Sequence, residues 1–266
     1  KVTGSGQTAI KGKSGVAGYK AGISVSNGGI IEGGTAALSV TGTGGTAAGN
    51  ENIGVLVTGT NSKITSLGGN VSVVGQGDGM PGGYNQHGVA VKSSGIITAG
   101  GTGTVTVQGT GASQTDGYTF GVHLNAGTIT SSGGNVSVTG QGGGSNTANH
   151  GIYLESSGLI SAGGAGTVTV QGSGGSGTNG YHQGVFLKSS AITSTNGHIS
   201  VTGQAGGAST SSANTGVLLD ATSRIAAGGT GNVTVQGTGS SSASTASFNY
   251  GLQLSGSNSQ ISTNNG

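Results

Sequence analysis

Gly151-Ile152-Tyr153-Leu154 is one of eight copies of a Gly-apolar-x-apolar tetrad; the others begin at Gly22, Gly54, Gly88, Gly121, Gly184, Gly216 and Gly251. The steps between them are 32, 34, 33, 30, 33, 32 and 35 residues. Self-similarity at such a period is the signature of stacked repeats, in which each unit buries its apolar face only because a neighbour lies against it.

Two further apolar pieces accompany each tetrad. One alternates with period two, as in Val105/Val107, Val136/Val138 and Val168/Val170. The other carries a central isoleucine: Ile31, Ile64, Ile97, Ile129, Ile160, Ile192, Ile225 and Ile261. Short β-branched runs with alternation, bounded by Gly and Ser, read as strands, and no stretch sustains a helical period. The chain is therefore all-β, with about eight coils of about 33 residues and three short strands in each. Stacking at about 4.8 Å per coil lines up three apolar columns in one continuous core and gives a rod roughly 40 Å long. A propeller blade wants four strands and about 40–50 residues, which fits worse. A finer pattern spans two coils, about 65 residues: Asn135-Val136-Ser137-Val138 alternates with Thr167-Val168-Thr169-Val170.

Composition narrows the function classes. Gly accounts for 63 of 266 residues and only 5% of residues are charged. A disordered chain would combine weak hydrophobicity with high charge or many prolines; here there is one Pro and the apolar residues fall in columns. Eight Lys and Arg, for a net charge of +2, are too few for the clustered basic face that neutralises phosphates, so nucleic acid is not an expected partner. No apolar run reaches the length of a membrane-spanning helix. Cys is absent, which excludes a disulfide framework. The glycines serve corners and close backbone approach; Gly142-Gly143-Gly144 lacks the Lys-Ser/Thr sequel of a phosphate-binding loop.

Catalytic, cofactor and metal residues are expected to be none. The acids Glu32, Glu51, Asp78, Asp116, Glu155 and Asp220 fall in different repeats. Glu155 and Asp220 share a position after the tetrad strand, two coils apart with Lys188 between them, and read as surface solubilisers. His87 and His150 share the column before the repeat Gly, also two coils apart, too far to share a metal ion, and read as part of a surface ladder. His123, His182 and His198 complete the set.

Two candidate contact surfaces emerge. The outward column of the tetrad strand carries a stripe of His123, Tyr153, Phe186 and Leu218. The long, variable connection before each tetrad gathers Tyr84, Tyr118, Phe120, Tyr181 and Tyr250 into a loop ridge, where repeat proteins often bind partners. A Ser/Thr column (Ser72, Thr106, Ser137, Thr169) offers a third surface, of the kind an ice-binding solenoid presents.

The repeated Gly-Asn-Val-Ser-Val-Thr-Gly and Gly-Val-x-Leu-x-Ser-Ser-x-x-Ile pieces resemble, along the whole chain, the repeat shafts of large bacterial surface proteins: filamentous-haemagglutinin-type exoproteins and autotransporter passengers. That resemblance implies a right-handed parallel β-helix, exported to the bacterial cell surface, acting as a structural or adhesive rod without catalysis. Its partners would be further copies of itself and cell-surface glycans or proteins. Residues 1–266 form one solenoid domain, and both ends match interior repeat sequence, so neither is capped: Lys1-Val2-Thr3-Gly4 resembles the tail of a first strand and Asn264-Asn265-Gly266 a connection. The main rival is a carbohydrate-active β-helix enzyme, which needs two carboxylates within about 9.5 Å.

Overall fold

The computed structural model describes residues 6–15, 21–46, 49–113, 117–208, 210–241 and 248–263. The terminal stubs named above, and Asp116, lie outside the described residues. Among the described residues, twenty-four strands assemble into three parallel sheets of eight strands each, every sheet receiving one strand per winding of the chain. The first sheet runs from Thr8–Lys13 to Val233–Thr238, the second from Ile23–Ser26 to Leu252–Leu254, and the third from Ile30–Gly33 to Gln260–Thr263. The molecule is a parallel β-solenoid. Seven steps separate first from last strand in each sheet, about 34 Å along the axis. Among the described residues no helix is long and apolar enough to cross a membrane.

Register follows the apolar columns. Ile129 pairs with Ile97 on one side and Ile160 on the other, and all three are fully buried. Val136 lies between Val105 and Val168, and Leu154 between Leu124 and Leu187. Strand residues alternate in and out, so a one-residue slip would turn each column to water, and the buried column fixes the pairing. At the last winding the column has a neighbour on one side only, and Leu252 and Leu254 are exposed.

The repeat Gly is required by contact. A Cβ on Gly151 would lie 2.3 Å from the backbone nitrogen of Ser173, and one on Gly172, in the first sheet, 2.0 Å from the carbonyl oxygen of Gly184. First-sheet strand and tetrad thus cross backbone against backbone, and only glycine fits on both sides.

The two-coil pattern has a structural basis in the corners. After the third sheet, Ser66, Ser131 and Ser194 bond their hydroxyls to the carbonyls of Gly69, Gly134 and Gly197. In the alternate windings the equivalent residues are the buried Ala99, Ala162 and Ala227, and the corner is one residue longer, with Gly101, Gly164 and Gly229 at positive φ. Asn70, Asn135 and His198 then accept the amides of Thr104, Thr167 and Asn232 in the next winding, at 2.9, 2.9 and 3.0 Å. The Asn/Thr alternation read from sequence is therefore a staple joining windings in pairs.

Candidate functional site

The connection from the first to the second sheet differs in length from winding to winding, but its last residues share one conformation. Three positions before each repeat Gly from Gly54 on, the backbone adopts positive φ: Glu51 63°, Asn85 58°, Tyr118 55°, Ala148 51°, Tyr181 62°, Ala213 56° and Phe248 79°. The kink sets the next residue inward and the one after it against the outward face of the second sheet.

The inward residues form a buried polar ladder: Asn52, Gln86, Thr119, Asn149, His182 and Asn214 are all inaccessible to solvent. From Asn149 on, each answers a backbone donor in the winding before it, while Gln86 Nε2 donates to the Gly49 carbonyl (2.6 Å). Thr119 donates its amide (3.1 Å) and hydroxyl (2.8 Å) to Asn149 Oδ1; the Asn149 amide donates to His182 Nδ1 (3.3 Å); the His182 amide to Asn214 Oδ1 (3.0 Å); and the Asn214 amide to Asn249 Oδ1 (3.0 Å). The ladder keeps loop backbone polar groups satisfied where the loops are covered, which buried amides require. Sequence reasoning missed it. Its signal was an Asn, Gln, Thr or His two positions before every repeat Gly from Asn52 to Asn249.

The second set of residues corrects the surface reading of the histidines. His87 and His150 are buried, and Phe120, expected on the exposed ridge, is buried between them. Phe120 stacks on His87 at 4.7 Å and on His150 at 4.9 Å. Beside this stack runs the second-sheet stripe, with His123 stacked on Tyr153 at 5.4 Å and Tyr153 on Phe186 at 4.8 Å. The two stacks meet edge to face, His87 with His123 at 4.8 Å and Phe120 with Tyr153 at 5.2 Å, an arrangement that suits the ring quadrupoles. His123, the first residue of the expected outward stripe, is therefore 6% exposed, covered by the loop layer.

The imidazoles are held neutral. His87 Nδ1 accepts the Phe120 amide (3.1 Å) and His150 Nδ1 accepts the Gln183 amide (3.3 Å). Burial pushes His87 well below the ordinary imidazole range, and takes His150 to about 3 and His182 to about 4. Glu155 is not a free solubiliser. Its carboxylate accepts from His123 Nε2 (2.9 Å), Asn125 Nδ2 (2.9 Å) and the Tyr153 hydroxyl (3.0 Å). The bond from His123 comes first among the causes that lower its pKa, while burial leads in lowering that of His123. His123 Nδ1 is buried without a hydrogen-bond partner among the described residues, and the Glu155 carboxylate, 24% exposed, is held by three donors. Glu155, Lys188 and Asp220 follow one another in register, as the spacing predicted.

What stays accessible is a groove. Tyr118 and Tyr181, 48% and 57% exposed, stand on the loop ridge; Tyr153, Phe186 and Leu218 form the opposite wall. The groove has a volume of about 440 Å³, with His150 and Gln183 also lining it, and Asp220. A second hollow of about 260 Å³ continues past Tyr181 to Phe248 and Gln253. The two candidate surfaces read from the sequence are thus the two sides of one trough. Tyr84 extends the ridge, 6.5 Å from Tyr118, and Tyr250 is exposed beyond it. The first sheet presents Ser72, Thr106, Ser137 and Thr169 outward, but its next outward column alternates Gln108, Thr139, Gln171 and Thr202, so paired Thr columns do not run along it.

No protein-family model, curated protein or solved structure matches this chain.

Proposed function

We propose that this solenoid is a non-catalytic segment of an extracellular rod, a structural or adhesive shaft at the bacterial cell surface, and that it winds right-handed. The observation that carries the reading is the unbroken run of three eight-stranded parallel sheets around one apolar core. Such a body transmits length and stiffness and presents side chains at a fixed pitch, which is what a shaft does. The right-handed sense follows the general rule for crossovers between parallel strands. The resemblance of the Gly-Asn-Val-Ser-Val-Thr-Gly pieces to exported repeat shafts supports the location. The ionisable groups nearest the groove point the same way: Glu155 is tied up by three donors, and Asp220 lies two windings from it with Lys188 between.

Antibodies raised against the chain are expected to label intact producing cells, and deletion of this segment to shorten or remove the labelled surface fibre. Labelling only after lysis would overturn the location. Release of new reducing ends from polysaccharides by the purified chain would overturn the non-catalytic assignment.

A further inference from the structure

The ridge position at positive φ carries Tyr118, Ala148, Tyr181, Ala213 and Phe248 in successive windings. Aromatic and alanine residues alternate, so large rings stand two windings apart with a gap above each alanine. The two hollows of the trough coincide with those gaps: one is lined by Tyr118, Ala148 and Tyr181, the other by Tyr181, Ala213 and Phe248. Tyr181 is shared between them. The trough is therefore a repeated slot with a period of two windings, about 9.6 Å.

We propose that this trough binds a linear, uncharged oligosaccharide lying along the solenoid axis, with sugar rings seated in successive slots. The inference rests on the adhesive-shaft reading and gives it a ligand class. Three features select the ligand. A repeated slot with a shared partition suits a repeating chain rather than a compact molecule, and two windings approximate the length of two linked pyranose rings. The walls combine ring faces with amide and hydroxyl groups from Gln183, Thr147 and Thr215, matching a ligand with apolar ring faces and hydroxyl edges. The charged residue lining the larger slot is Asp220, whose carboxylate disfavours anionic glycans and acidic peptides, and the smaller slot is lined by uncharged residues.

The test is calorimetric titration of the whole chain with cellohexaose, chitohexaose and xylohexaose, and with a heparin hexasaccharide as the anionic arm. At least one neutral hexasaccharide should bind, and heparin should not. The double variant Tyr118→Ala, Tyr181→Ala, at two exposed positions, should weaken binding about tenfold or more, as loss of central aromatic anchors does. Gln171→Ala on the first sheet should leave binding unchanged, and both variants should keep the far-ultraviolet dichroism of the parent. Binding to none of the neutral sugars, preference for heparin, or undiminished binding by the tyrosine variant overturns the inference. Failure here with surface labelling intact removes the ligand and leaves the shaft; binding by a chain found only inside cells removes the shaft and leaves the ligand.

Discussion

Asn149 shows how much one side chain does in the covered loop layer. Its carboxamide oxygen takes both the amide and the hydroxyl of Thr119, and neither residue is accessible to solvent. Asn149→Ala strands two donors, and leaving a buried donor unanswered costs about 1–3 kcal/mol. We expect a loss of stability at the upper end of that range in urea unfolding. Ser137→Ala, on the outward face of the first sheet, should stay within about 0.5 kcal/mol of the parent. Equal effects from the two substitutions would contradict the ladder. The same residue marks a limit of sequence reading. Counted forward from the first-sheet strand, the connections differ in length and no column appears. Counted back from the repeat Gly, where the positive-φ kink is fixed, Asn149 aligns with Thr119 and His182.

At the scale of the element, the loop layer is fastened by imidazoles that must stay neutral. His87, His150 and His182 each accept a backbone amide through Nδ1, and a protonated ring would present a donor to a donor. Their pKa values in the fold lie below the ordinary value of about 6.5. The unfolded chain therefore binds protons first as pH falls, and the layer's stability, complete above about pH 6.5, is lost progressively toward pH 3–4. The groups facing these rings are His123, Lys92 and Glu155. Hydrogen exchange corrected for intrinsic rate should show the amides of Phe120, Asn149 and Gln183 opening between pH 7 and 4, while those of Val107 and Leu124 stay protected. His150→Gln, which keeps an acceptor but does not titrate, should blunt the effect at Gln183. Exchange at these amides independent of pH would exclude the imidazole fastening. The sheets themselves were legible because their period-two alternation survives any loop length; Ile97, Ile129 and Ile160 meet as the spacing predicts. His87 and His150 were misread because their column, outside any strand, has no in-and-out alternation to tell which way its side chains face. Nothing local revealed that the loop folds back over His123.

At the scale of the molecule, alternating corners mean that windings come in pairs. Excising residues 104–166 joins Gly103 to Thr167 and sets a Thr above Asn70, restoring the staple that Thr104 made. Excising 104–134 instead removes the short corner at Ser131 and sets Asn135 above Asn70, bringing the two long corners at Ala99 and Ala162 together. The shorter product of the first excision should melt higher than the longer product of the second, by the worth of one net hydrogen bond, about 0.5–1.5 kcal/mol, since Asn70 and Asn135 are exposed. The reverse order in thermal melts would show that the pairing carries no weight. Tandem Asn-Val-Ser-Val and Thr-Val-Thr-Val pieces announced this period, but its cause, a corner one residue longer in alternate windings, needed coordinates.

The hydrogen bonds from Thr119 to Asn149, Asn149 to His182, His182 to Asn214 and Asn214 to Asn249 all point the same way. A polypeptide laid down from its amino end would therefore carry, at its newest loop, an amide whose acceptor has yet to arrive. Through this ladder each loop waits for its successor, whereas Phe120 and Gln183 reach back to imidazoles already laid, His87 and His150. Construction of the inner ladder therefore has a direction, each Asn or His checking the layer laid down just before it.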